Sequence, residues 1–277
     1  MPEIVERVTV FCFAASYVLA LAMEVWHLLA PRPIQRYLAL GFGGAGLLAH
    51  SIYVLVQPLQ LTAPFGALVF LAWILAVFYF YGSIHHGRLA WGVFVLPLVL
   101  GLIGLAEALA DGPGDNQDFL ATLLSPRGER FWGALHGALL LLAGVGISVG
   151  FVASVMYLVQ VYRLRAKLPP GQGMRLWSLE RIEEMNRRAV LWAFPLLTAG
   201  LIVGIALQIQ NGVSMSDWNS PKIVSTIGLW LVFAILLYLR YGVHARGRQV
   251  AILTLVAFAV LLLALASPVH PSHGGGP

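Results

Sequence analysis

Polar residues interrupt this chain only briefly, and between the interruptions lie eight apolar stretches: about 8–30, 37–57, 64–84, 90–110, 132–162, 189–210, 222–240 and 249–267. A hydrocarbon core about 30 Å thick takes roughly 20 apolar residues of helix. The stretches are long, continuous and rich in Leu, Ala and Gly, so their period and length predict helices rather than strands. The 132–162 stretch exceeds one membrane thickness and is expected to project from a surface. An all-α, polytopic membrane bundle of about eight transmembrane helices follows. Its expected organisation is an N-terminal four-helix half (1–110), a loop (111–131) and a C-terminal four-helix half (132–277).

Composition agrees with that pattern. Of 277 residues 59% are hydrophobic and 10% charged, where a soluble domain carries roughly a quarter charged. The mean hydropathy is +0.83. A net charge of +5 could suggest nucleic acid, but the basic residues lie in short breaks between apolar runs, where they orient a membrane protein. No nucleic-acid partner is expected. Thirteen Lys and Arg fall after runs one, three, five and seven, seven of them between Arg163 and Arg188; four (Arg7, Arg127, Arg130, Lys222) fall on the other side. The positive-inside rule then places both chain ends outside. A single cysteine, Cys12, excludes an internal disulfide or a CxxC pair. Glu3, Glu6 and the length of the first run argue against a cleavable signal peptide.

Two connecting segments carry more than a turn. Residues 111–131 hold Asp111, Asp115, Asp118 and Glu129 and read as a solvated loop with a short helix near Phe119–Leu124. Residues 163–188 run from a basic patch through Pro169, Pro170 and Gly171 into an amphipathic helix that Ser178 can cap. Glu183 with Arg187, and Glu184 with Arg188, have i,i+4 spacing for surface pairs. Gly133/Gly137, Gly146/Gly150 and Gly200/Gly204 have the four-residue spacing that lets helix backbones approach in lipid.

Ionisable groups inside lipid are costly, so each is a candidate for function. Glu24, His27, His50, Glu107 and His136 qualify, with His270 and His273 in the tail. Acidic pairs at helical spacing are missing from the spans, which weakens an ion-coupled transporter. No P-loop, GxSxG or HExxH pattern indicates a nucleotide-driven machine or hydrolase. His136 lies at the outer start of the fifth span, and His270 and His273 follow the eighth, so a tail imidazole can face His136 across one surface site. His50 lies about 10 Å deep, at 1.5 Å per residue. Imidazoles from different helices are what six-coordinate haem iron requires; Trp132 and Trp218 could wall a porphyrin, and Arg130 and Lys222 could take its propionates. The same residues also fit a plainer reading. Tryptophan anchors membrane boundaries, a buried histidine most often hydrogen-bonds a neighbouring helix, and Pro221 with Lys222 is an ordinary helix start.

The stretch WSLERIEEMNRRAVLWAFPLLTAGLIVG (177–204), the helix PKIVSTIGLWLVFAILLYLR (221–240), Leu135-His136-Gly137 and the tail SPVHPSH (267–273) resemble the cytochrome c assembly membrane proteins, the CcsA/HemX-like group. The resemblance is clearest over 132–273 and weaker over 1–110, where the Ala49-His50 pair carries it. It implies haem b held transiently outside the membrane between His136 and His270 or His273, and delivered with a second membrane subunit to apocytochrome c in the plasma (inner) membrane. At most the chain would be a component of a haem lyase. Two features depart from the family: Trp218 is the lone tryptophan where a WGxxWxWD segment is expected, and Tyr238 stands where the second membrane histidine is expected. The HemX-like branch implies instead a regulator or scaffold linked to tetrapyrrole synthesis, without stable haem binding.

Overall fold

The structure is a computed structural model that describes residues 9–30, 32–57, 63–86, 90–110, 128–167, 174–210, 221–243 and 247–266. These residues form α1 (Val10–Leu29), α2 (Pro33–Val56), α3 (Pro64–His85), α4 (Gly92–Ala108), α5 (Gly128–Arg165), α6 (Leu179–Gln210), α7 (Pro221–Tyr241) and α8 (Gly247–Ala266). Among the described residues every element is helical. Seven helices are long and apolar enough to cross a membrane; α4, with 17 residues, is shorter. α5 has 38 residues, about 57 Å at 1.5 Å per residue, and so overshoots the hydrocarbon core as its run length predicts. Helices satisfy their own backbone groups, which is why lipid selects them.

Local signals set the helix starts. Proline stands at or next to the first position of α2 and α3, where its missing N–H costs nothing. The Gln35 side chain accepts the Arg32 N–H at 3.1 Å and closes the start of α2, which therefore begins four residues before the apolar run. α6 likewise begins at Leu179, ten residues before its run, because the amphipathic segment continues into the span as one helix. That segment is not simply solvated: Ile182 and Asn186 are buried. Of the two i,i+4 pairs expected, Glu184 with Arg188 forms and Glu183 with Arg187 does not. Glu184 takes both Arg187 and Arg188, at 2.5 and 2.7 Å. Glu183 turns towards Tyr157 and Gly247 instead. The short helix expected near Phe119–Leu124 lies outside the described residues.

The helices pack as two rings of four. In the first, α1 touches α2 and α4, and α3 closes the ring against both. In the second, α5–α6, α6–α7, α7–α8 and α8–α5 make the circuit, and α3 and α4 join the rings through α5 and α8. One end of the molecule carries both ends of the described chain; it is called here the His136 end, and the opposite one the Arg240 end. At the Arg240 end the rings are also tied by the segment before α6. The Ala90 N–H donates to the Arg175 carbonyl at 3.0 Å, and Trp177 packs on Trp91 at 5.1 Å and on His86 at 5.3 Å between centroids.

Several polar side chains within the spans are satisfied across helices. The Trp230 indole N–H donates to Thr198 at 3.0 Å, and Thr198 in turn donates to the Phe194 carbonyl. Trp73 and Ser51 repeat the arrangement between α3 and α2. The busiest junction is Asn186, 5% exposed. Its amide donates towards the Gly150 carbonyl (3.1 Å), Ser154 (3.0 Å) and Thr254 (3.4 Å), and its oxygen accepts from Arg240 at 2.9 Å. One side chain thereby joins all four helices of the second ring. We predict that Asn186→Leu, which strands the Arg240 donor, destabilises the protein by about 2 kcal/mol. Unfolding in mixed micelles checks this, and an unchanged midpoint would show the junction to be dispensable.

Candidate functional site

His136 stands two turns into α5 and points at α6. Its Nδ1 lies 2.8 Å from the Gly200 carbonyl. A carbonyl only accepts, so Nδ1 carries a proton, and in the neutral ring the lone pair is then on Nε2. This is the second contact by which proteins fix a metal-binding imidazole's tautomer and orientation. The ring can lie there because α6 carries no side chain beneath it: a Cβ on Gly204 would come within 2.6 Å of His136 Cε1 and 2.9 Å of Nδ1. One turn earlier, a Cβ on Gly200 would meet Leu140 at 2.7 Å. The Gly200/Gly204 pair, legible in the sequence only as a packing signal, is therefore also the seat of the histidine.

His136 lines a largely apolar cavity of about 120 Å³. Its walls come from the starts of α3 (Pro64) and α7 (Thr226), the end of α8 (Ala264, Leu265), and Leu197 of α6. The last helical turn of α8, from which the tail departs, thus stands at this cavity. Arg130 and Lys222 belong to the first turns of α5 and α7, at the same end. Trp218, His270 and His273 lie outside the described residues. The donor chemistry of His136 suits haem iron: an imidazole whose Nδ1 is held by a carbonyl, at an apolar wall. The enclosed volume is smaller than the roughly 300–1,000 Å³ of a drug-sized pocket, so the described walls would hold one edge of a porphyrin and not the whole macrocycle.

His50 occupies a different place. It is wholly buried on α2, stacked on Phe13 with centroids 4.0 Å apart and planes 2° from parallel. The Tyr17 hydroxyl lies 3.4 Å from its Nδ1. Tyr17 reaches that position over Gly46, where a Cβ would come within 2.8 Å of the tyrosine ring. His50 Nε2 is buried without a hydrogen-bond partner. His50 is not part of the cavity wall at His136, so the two imidazoles do not share a site. Phe13 and Tyr17, which complete the His50 setting, have no sequence signal beyond their apolar run.

The other ionisable candidates sort simply. His27 meets a nearby backbone carbonyl, that of Arg32, at 3.1 Å. Glu24 is packed beside Gly92 and Tyr79, and Glu107 borders an open groove between α1, α2 and α4. Among the described residues no three His, Cys, Asp or Glu side chains gather as a metal site.

The contact between His136 and Gly204 is open to a double-mutant cycle. Gly204→Ala is expected to lower the melting temperature of the detergent-solubilised protein, by the equivalent of about 1–3 kcal/mol. In a His136→Ala background, where the ring is gone, most of that loss is expected to disappear. Equal losses in both backgrounds would place the strain elsewhere.

Comparisons with known proteins bear on the same region. The family model described as "Cytochrome C assembly protein" matches residues 61–267, that is, α3 to the end of α8. His136 falls inside the match; His50, His270 and His273 fall outside it. The chain is 25% identical over 253 residues to the cytochrome c biogenesis protein CcsA of Synechococcus sp. (strain JA-2-3B'a(2-13)), covering 71% of each chain. It is 23% identical over 261 residues to that of Guillardia theta, covering 86% of this chain and 85% of the relative. For the CcsA of Thermosynechococcus vestitus the identity is 25% over 232 residues, again 71% of each. No solved structure matches. With a family match over about three quarters of its length, laid on a bundle of membrane-crossing helices, the chain belongs to the cytochrome c assembly protein family as a multi-pass membrane protein.

Proposed function

We propose that the protein binds haem at the His136 end and presents it to apocytochrome c, working with a second membrane subunit in the plasma (inner) membrane. The observation that carries this reading is the His136 imidazole, held at Nδ1 by the Gly200 carbonyl, which leaves the lone pair of the neutral ring on Nε2. His136, together with His270 or His273 on the tail that follows α8, would hold the haem iron. Arg130 and Lys222 bring positive charge to the propionates, and Trp218 supplies an aromatic wall. The distribution of Lys and Arg supports an orientation in which this end faces out. Bound there, haem b would supply an iron centre that imidazole nitrogens can hold. The residues' own task is to hold and orient it at the membrane surface. His50 is a second candidate ligand, within the membrane, through its buried Nε2.

A second reading has an observation in its favour. The described cavity at His136 holds about 120 Å³, and Tyr238 stands in place of a histidine on α7. A HemX-like regulator or scaffold that never retains haem would need neither a larger cavity nor that histidine.

Absorption spectra separate the two. The detergent-purified protein, after haem reconstitution, is expected to show a Soret band and sharp reduced bands. His136→Ala is expected to remove more than half of the Soret amplitude per protein, and His270→Ala with His273→Ala to shift the spectrum away from six-coordinate iron. A protein that stays colourless after reconstitution would overturn the haem reading and leave the scaffold.

A further inference from the structure

At the Arg240 end a second cavity, of about 240 Å³, opens among the four helices of the second ring. It is faced by Tyr157 of α5, Glu183 and Asn186 of α6, Arg240 of α7 and the Gly247 backbone that begins α8. The volume is below that of a drug-sized pocket, so it takes a small group and no macrocycle. Two opposite charges look into it from different helices. Arg240 donates to the Asn186 side chain at 2.9 Å and to the backbone carbonyl of Glu183 at 3.1 Å. It does not take the Glu183 carboxylate, which turns to the other side, where it accepts a hydrogen bond from the Tyr157 hydroxyl beside Gly247. Those two contacts use two of the five guanidinium donors. The wall thus offers a cation for an oxyanion and, across the cavity, a carboxylate and a hydroxyl that accept hydrogen bonds.

We propose that this cavity is a headgroup site for a phosphate ester carrying a primary ammonium, the chemistry of phosphoethanolamine. The phosphate sits on Arg240, whose fork matches an oxyanion. The ammonium donates to the Glu183 carboxylate and the Tyr157 hydroxyl. The position of the cavity argues for phosphate over a free carboxylate. It lies between the last turn of α7 and the first residue of α8, where membrane-crossing helices leave the hydrocarbon and lipid phosphates stand. The charged wall argues for an ammonium: an anion alone would leave Glu183 facing like charge, and a trimethylated amine could not donate to either oxygen.

Native mass spectrometry of the full chain in detergent, titrated with dioleoyl lipids, tests this. Phosphatidylethanolamine is expected to be retained about tenfold better than phosphatidylcholine or phosphatidylglycerol, the discrimination one charge-assisted contact provides. Glu183→Gln, which keeps shape and removes the charge, is expected to bring the ethanolamine-to-choline ratio close to one while the lipid-free melting temperature holds. Arg240→Lys keeps the charge without the fork and is expected to weaken all three lipids. Stabilisation by soluble O-phosphoethanolamine, lost in Glu183→Gln, would support the same chemistry with a water-soluble source; stabilisation by the lipid alone supports the membrane source. A wild-type protein with no preference among the lipids and no response to O-phosphoethanolamine, or a preference that survives Glu183→Gln, overturns the proposal.

Discussion

The close approach of α5 and α6 sets where the rest of the second ring can stand. Apolar attraction cannot drive this contact inside a bilayer, because lipid tails are as apolar as leucine; small residues that admit backbone contact drive it instead. Gly146 faces Ala193 and the Ala189 carbonyl, Gly150 faces Thr254 and Ala189, and Gly200 faces Leu140. Larger side chains at these positions would push the two axes apart. The histidine would then lose the Gly200 carbonyl, and Asn186 would lose Gly150. One seam of small residues thus fixes an imidazole at one end of the molecule and a four-helix polar junction at the other.

The two ends handle polarity differently, and the difference bears on their chemistry. Along the seam and across the ring, hydroxyls and indoles are closed into short chains that finish on a carbonyl four residues back, as lipid demands of any polar group. At the His136 end the polar group is instead held at an apolar wall, with its Nδ1 on a carbonyl. At the Arg240 end, charges of opposite sign are set apart around a cavity and not paired with each other.

Much of this was legible in the sequence. Run length and composition suffice for the helices, because lipid leaves so few alternatives. Long-range placement was less accessible. The Gly200/Gly204 spacing announces close packing, yet nothing in it says that a histidine from 64 residues earlier fills the space. The i,i+4 spacing of Glu183 and Arg187 suggests a surface pair. Glu183 lies on the inward face of the helix, and only the arrangement of α5 and α8 reveals it. His136 and His50, set at different depths by their positions along the spans, belong to separate settings. The tail histidines and Trp218 lie beyond the described residues, so their part in the site rests on position along the chain.

The central claim is that the α5–α6 seam presents the His136 imidazole as an iron ligand. The direct measurement is chemical rescue: His136→Gly, reconstituted with haem and titrated with free imidazole while the low-spin ferric electron paramagnetic resonance signal is followed. The account predicts that the signal present in the unaltered protein is lost in the variant and returns as imidazole fills the vacated space beside Gly204. A variant that keeps the low-spin signal without added imidazole would contradict it.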